Sequence, residues 1–113
     1  GYNIKIIGGN NMSISLNMQG VYRNNKKMSI GAHNDKGSRF NKSDYDHIYD
    51  MYKLHMNNKL NKFKKVTVSG YHDGYKLFTC DIDISNLRHN YYTIIHYYIT
   101  NLELMIMRKN EFK

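Results

Sequence analysis

The sequence predicts an α+β domain in which a mainly antiparallel five-stranded sheet carries two helices packed on one face. Apolar and polar residues alternate with a period of two, which is typical of a half-buried strand, in five segments. Apolar residues recur at three- and four-residue spacing, as in an amphipathic helix, in two longer segments. Turn residues separate these segments, so the elements follow one another as βββ-α-ββ-α.

The length and the cysteine content indicate one domain without disulfides. A chain of 113 residues can bury about two-thirds of its unfolded surface, so we treat residues 1–113 as a single domain. The one cysteine, Cys80, excludes an internal disulfide. We find no apolar run of about 18 residues and no signal-peptide pattern. We therefore expect a cytoplasmic protein, in a bacterial cell or an infected host cell.

The first three strands are predicted to follow one another through short turns. Residues 2–6, 12–23 and 28–32 carry the alternating pattern. Residues 8–11 and 24–27 contain the Gly and Asn residues that tolerate a positive φ in tight turns. Strands joined in this way should pair antiparallel.

A long amphipathic helix of about five turns is predicted after a polar loop over residues 33–42. Ser43 and Asp46 have the spacing of a capping box at its start. Its predicted inner stripe consists of Tyr45, Ile48, Tyr49, Tyr52, Met56, Leu60 and Phe63.

The second hairpin has the strongest turn signal in the chain, Asp73–Gly74, which is typical of a type I′ turn. Strands are predicted around 66–68 before it and over 78–84 after it. Ser85 or Asn86 is expected to cap the last helix. The predicted inner stripe of that helix consists of Leu87, Tyr91, Ile94, Ile95, Tyr98, Leu102 and Met105.

The last helix is too apolar for a helix with a single buried face. One explanation is that the first helix packs against its flank. The other is a homodimer or partner interface rich in Tyr and Met. The candidate interface residues are Tyr92, Tyr97, Ile99 and Ile106.

The net charge of +8, from 17 basic and 9 acidic residues, bears on partners rather than on the fold. The candidate partner- or phosphate-binding residues are Arg23, Lys26 and Lys27, then Lys36 and Arg39, then Lys59, Lys62, Lys64 and Lys65. Such groups can neutralise phosphates and make binding salt-dependent. Part of the lysine excess is attributable to AT-rich coding, since the chain has no Pro and no Trp. Some of these groups also complement helix dipoles.

Two further pairs of residues are candidates for catalysis and for metal binding. His33 and His72, at the ends of predicted strands, are the candidate acid–base residues of a metal-free ribonuclease. Asp81 and Asp83 point the same way on one strand and are the candidate metal ligands. Outward-facing acids on an edge strand also discourage aggregation, which is the interpretation we favour. Cys80 is expected to face the core, and no cofactor is expected.

Taken together, these features predict a small, basic, non-enzymatic binding protein from an AT-rich phage, virus or low-GC bacterium. Its partner is expected to be macromolecular rather than a membrane. That partner is either nucleic acid or a nucleic-acid-handling protein, which the chain would block in the manner of an anti-CRISPR-like inhibitor of host defence. The alternative is a small metal-independent ribonuclease resembling a toxin.

Overall fold

The chain forms an α+β fold with a four-stranded antiparallel sheet and two helices in a computed structural model that describes residues 13–111. The elements are β1 (Ile14–Tyr22), β2 (Lys27–Asn34), α1 (Lys42–Met51), β3 (Phe63–His72), β4 (Tyr75–Ile82) and α2 (Ile84–Glu111). The predicted α+β class and antiparallel pairing are confirmed, and the described sheet has four strands rather than five. The strand predicted over residues 2–6 lies outside the described residues.

The sheet order is β2-β1-β3-β4, and every neighbouring pair is antiparallel. β1 is central, so it pairs with β2 in a hairpin and with β3 across the intervening helix. Leu16 and Met18 on β1 and Val68 on β3 are buried under the helices. Their neighbours in sequence point to the opposite side, which we call the open face. On the open face, Thr79 and Asp81 are exposed, and Asn17 and Gln19 are half-buried.

The β3–β4 turn confirms the type I′ prediction, because Asp73 and Gly74 both have positive φ, at 51° and 83°. The turn is also tied to the start of β1. The backbone N–H of Asp73 donates to the carbonyl of Ser13 (2.9 Å), and the N–H of Ser13 donates to Asp73 Oδ1 (2.8 Å).

The capping box of α1 is formed by Asn41 and Asp44, not by Ser43 and Asp46. Asn41 Oδ1 accepts from the backbone N–H of Asp44 (3.0 Å), and Asp44 Oδ2 accepts from the N–H of Asn41 (2.8 Å). Asn and Asp satisfy free helix N–H groups as well as Ser does. The helix therefore begins at Lys42.

The predicted long helix is not one regular α-helix. After Met51 it continues as a π-helical turn over Tyr52–Met56 and a 3₁₀ segment over Asn57–Lys62. The buried residues Ile48, Tyr52, Met56 and Leu60 recur at a spacing of four. Because an α-helix has 3.6 residues per turn, a stripe of residues spaced by four gradually rotates away from the core. A π-helical turn holds more residues per turn, so it keeps this stripe on one face.

α2 begins with a cap from Asp83 instead of Ser85 or Asn86. Asp83 Oδ1 accepts from the backbone N–H groups of Ser85 (2.9 Å) and Asn86 (3.4 Å). The helix is interrupted at Asn90, where φ is −134° and ψ is 34°. A non-helical residue changes the rotational phase of everything after it, which shifts the stripe predicted from a continuous helix.

The core of the protein includes Ile99 and Ile106, and both are fully buried. Their assignment to an oligomer interface is therefore wrong. The buried apolar residues of α2 are Leu87, Ile95, Ile99, Leu102 and Ile106. Met105, which was predicted to point inward, is 39% exposed. No helix in the described part of the chain has the length and apolar character needed to cross a membrane.

Buried Glu103 joins α2 to the segment that enters α1. Its Oε2 accepts from the backbone N–H of Phe40 (2.9 Å), and its Oε1 accepts from the hydroxyl of Tyr45 (3.2 Å). Burial is the largest cause that raises the pKa of Tyr45, and the charge of the Glu103 carboxylate is the next. The phenol therefore remains a donor to Glu103 well into alkaline solution.

Replacing Glu103 by alanine is expected to lower the free energy of unfolding by about 3 kcal/mol, because the buried Phe40 amide loses its acceptor. Glu103→Gln keeps an acceptor for that amide and is expected to cost about 1 kcal/mol. Urea unfolding followed by circular dichroism measures both values. Equal losses in the two variants would contradict this account of Glu103.

Candidate functional site

Two basic groups that are far apart in sequence meet at one end of the sheet. Val21 pairs with Lys27 on β2 and with Lys65 on β3, so the β1–β2 turn lies beside the start of β3. The 3₁₀ segment Asn57–Lys62 leads directly into that start. We call this the basic end, and it consists of Arg23, Lys26, Lys27, Lys59, Lys62, Lys64 and Lys65.

Hydrogen bonds join the two halves of the basic end. Arg23 Nη1 donates to the carbonyl of Asn61 (2.8 Å), and Lys64 Nζ donates to Asn25 Oδ1. Arg88 on α2 donates to Asn61 Oδ1 and adds a further cation. Sequence reasoning missed Arg88, because it is distant in sequence from the lysine groups of the basic end.

The basic end surrounds a concavity on the open face. Its volume is about 590 Å³, and it is lined by Gln19, Val21, Asn25, Lys27, Lys64, Lys65, Thr67 and Thr79. Ammonium groups and neutral hydrogen-bonding side chains thus share one surface. This combination suits a ligand that presents anionic oxygens together with other polar atoms.

One carboxylate lies close to these lysines. Asp81 Oδ1 is 3.9 Å from Lys65 Nζ, and the two side chains are 72% and 52% exposed. A solvated pair at this distance contributes little to stability. Lys65 can therefore release Asp81 and bind a phosphate instead.

The open face beyond the concavity is polar and carries short side chains. Asn17 pairs with Ser69 across β1 and β3, and Ser69 Oγ donates to Thr79 Oγ1 (2.9 Å). Tyr71 lies near the far end of this face, with Lys76 Nζ 6.0 Å from its ring centre. A tyrosine ring beside a cation is one element of a base-stacking surface.

Lys36 and Arg39 do not belong to the basic end. They lie in the loop after Asn34, and Asn34 pairs with Ile14 at the opposite end of β1. A strand of nine residues places the two ends about 27 Å apart. Lys36 and Arg39 therefore form a separate basic group, and their role in binding a partner or phosphate stays a prediction.

The two candidate catalytic histidines lie on opposite faces of the sheet. His33 pairs with Ser15 on the open face, and its Nε2 contacts Asp35. His72 pairs with Ile14 on the helix-covered face and is only 4% exposed. Adjacent strand residues point in opposite directions, so His33 and His72 cannot act on one substrate, and their assignment as an acid–base pair is wrong.

The two candidate metal ligands do not act as a pair on one strand. β4 ends at Ile82, and the Asp83 carboxylate caps α2. Asp81 contacts Lys65. Among the described residues, no cluster of three or more His, Cys, Asp or Glu side chains has a geometry that could hold a metal ion.

Tyr92, one of the predicted interface residues, is partly engaged within the protein. Its ring stacks on that of Tyr49 at a centroid distance of 4.3 Å, and Tyr91 stacks on Tyr52 at 4.7 Å. Burial is the largest cause that raises the pKa of both Tyr49 and Tyr52 to about 12. The first helix therefore does pack on the flank of the last one, as one of the two sequence-based explanations predicted.

No protein-family model, curated protein or solved structure matches this chain.

Proposed function

We propose that this chain is a non-enzymatic nucleic-acid-binding protein that contacts backbone phosphates through its basic end. The observation that carries the proposal is the meeting of two distant lysine groups around a concavity on the open face of the sheet. Lysine is a point charge that binds phosphate oxygens without base preference. Binding should therefore depend little on sequence.

The chemistry of the surface favours nucleic acid over other anions. Lys27, Lys64 and Lys65 line one concavity, and Lys26 and Lys62 extend the cationic surface outwards along the turn and the 3₁₀ segment. A ligand with regularly repeated phosphates can engage several of these groups at once, whereas a lone phosphate engages few. Asn and Thr side chains beside the lysines can bond to sugar and phosphate oxygens.

The placement of the histidines supports a non-enzymatic role. A metal-free ribonuclease needs an acid and a base on either side of one phosphate. His33 and His72 face opposite sides of the sheet. Binding without cleavage is therefore the function that the basic end supports best.

Binding to a labelled single-stranded oligonucleotide, measured by fluorescence anisotropy, is expected to weaken steeply as salt rises. Each neutralised phosphate of a single strand contributes about −0.7 to the slope of log K against log salt, so four to seven contacts give about −3 to −5. A matched duplex and an unrelated sequence serve as comparisons. Absence of binding to any of these probes at about 50 mM salt would refute the proposal.

A further inference from the structure

The outer edge of β4 is open to pairing. β4 pairs with β3 on one side, and no strand within residues 13–111 pairs with the other. An edge strand presents a row of backbone N–H and C=O groups that can accept another strand. β4 has eight residues and contains no proline, so no residue of its free edge lacks a backbone N–H.

α2 exposes apolar side chains beside this edge. Tyr97, Leu104 and Met105 are 56%, 46% and 39% exposed. A cavity of about 240 Å³ lies between α2 and β4 and is lined by Phe78, Cys80, Tyr97, Tyr98, Asn101 and Met105. Burial is the first cause that raises the pKa of Tyr98 at this cavity. The edge and the apolar cavity thus form one continuous surface.

The charges on β4 are arranged so that the strand complements itself. Lys76, Thr79 and Asp81 pair with Tyr71, Ser69 and Thr67, and therefore all lie on the open face. Leu77 is the extra residue of a β-bulge, because Lys76 and Phe78 pair with consecutive residues of β3. Thr79 is consequently midway between a cation and an anion along this face.

We propose that a second copy of this chain covers the surface, with two β4 strands paired antiparallel about a two-fold axis at Thr79. In this register each Lys76 faces the partner subunit's Asp81, and each Phe78 faces the partner subunit's Cys80. A two-fold interface must be self-complementary, and β4 meets this condition. The two sheets join into one eight-stranded sheet.

The position of α2 fits this arrangement. α2 contacts both β3 and β4, and in the proposed dimer each α2 axis lies above the space between those strands. With strands about 4.8 Å apart, the two α2 axes of the dimer lie about 10 Å from each other, which is a normal helix-packing distance. Tyr97 and Met105 of each copy then meet across the axis and fill the cavity beside β4.

A strand from an unrelated protein is another possible occupant of this edge. Such a strand could form the same backbone hydrogen bonds, and it would need its own cation and anion at the matching positions. A second copy of this chain supplies those charges without a further requirement. The observations therefore favour the second copy. Reversing the charges at Lys76 and Asp81 distinguishes a second copy from a strand of an unrelated protein.

Sedimentation equilibrium over a range of concentrations tests whether Lys76 of each copy lies opposite Asp81 of the other copy. We expect Lys76→Asp and Asp81→Lys each to raise the dimer dissociation constant about 10-fold, since each converts two attractive pairs into repulsive ones. The double variant Lys76→Asp/Asp81→Lys should restore wild-type affinity. A mixture of the two single variants should form heterodimers. Lys53→Asp, an exposed change away from β4, is the control and should have no effect.

Two results would overturn the proposal. One is a wild-type protein that stays monomeric at every concentration. The other is a dimer that the double variant fails to restore, since this would locate the dimer contact elsewhere.

Disulfide trapping gives an independent test of the two-fold position. In a Cys80→Ser background, Thr79→Cys should cross-link within the dimer on mild oxidation, because directly opposed residues have Cβ atoms about 5 Å apart. Ser29→Cys in the same background is the matched control, as Ser29 is exposed on the other edge strand, β2. Equal cross-linking of the two variants would mean random collision and would contradict the register.

Discussion

Changing Lys27, Lys64 and Lys65 together to glutamate is expected to weaken binding of a single-stranded oligonucleotide at least about 100-fold at about 50 mM salt. These three side chains line the concavity of the basic end. The change removes three phosphate contacts and places three carboxylates where phosphates would lie. The slope of log K against log salt should also become shallower by about 2, from about 0.7 per lost contact.

A matched variant separates this effect from a change in total charge. Lys36, Arg39 and Lys42 lie at the opposite end of the protein, in or next to the loop that precedes α1. Changing all three to glutamate alters the net charge by the same amount as the first variant. We expect less than about a threefold change in affinity, since charges at about 50 mM salt are screened over about 14 Å, roughly half the distance between the two ends of the protein. Comparable losses in both variants would mean that net charge, rather than the basic end, determines binding.

Both variants are expected to remain folded. Lys27, Lys64 and Lys65 are exposed, and exposed substitutions usually alter stability by less than about 0.5 kcal/mol. Lys64 does bond to Asn25, so the variant should be compared with wild type by circular dichroism and thermal unfolding. A folded variant with wild-type affinity would refute the assignment of the site.

The basic end could be predicted from sequence only as separate groups. Local alternation identified the strand that contains Val21, and the lysines after residue 58 were visible as a run. The pairing of β1 with β3 depends on contacts between residues about fifty positions apart, such as Leu16 and Gly70. Local pattern carries no information about that pairing. The sequence could not show that Lys27 meets Lys65 while Lys36 does not.

The helices illustrate a second limit of sequence patterns. The spacing of Ile48, Tyr52 and Met56 correctly indicated a buried helical face, but not the π turn that keeps these residues together. In α2, the non-helical conformation of Asn90 alters the phase of the helix. A continuous helical wheel therefore placed Ile99 on the flank of the helix, although it is fully buried. Asn is only weakly unfavourable in a helix, so the residue type at this position did not predict the break.

The protein is expected to lose stability steeply between about pH 10 and pH 12 because of two buried tyrosines. Tyr52 is fully buried, Tyr49 is 7% exposed, and burial raises the pKa of each from 10 to about 12. The unfolded chain releases these protons near pH 10, whereas the folded protein holds them to about pH 12. The stabilisation is therefore fully present below pH 10 and is lost as the pH rises through 12.

The expected loss is large for a domain of this size. One pKa unit corresponds to about 1.4 kcal/mol, so each tyrosine costs about 1.4 kcal/mol at pH 11, and the pair approaches about 5 kcal/mol above pH 12. Total domain stability is typically about 5–15 kcal/mol. Urea unfolding at a series of alkaline pH values, with tyrosinate absorbance as a second probe, measures this loss.

Single phenylalanine variants assign the effect to particular residues. The Tyr49 hydroxyl has no hydrogen-bond partner among the described residues. Tyr49→Phe should therefore be neutral or slightly stabilising at pH 7, because it removes an unpaired buried polar group. It should also remove about half of the alkaline loss.

Tyr52→Phe should remove the other half of the alkaline loss. At pH 7 this variant loses the long hydrogen bond from the Tyr52 hydroxyl to Asn57 Oδ1 (3.4 Å). An alkaline profile unchanged in both variants would show that other groups, such as the lysines, drive the loss.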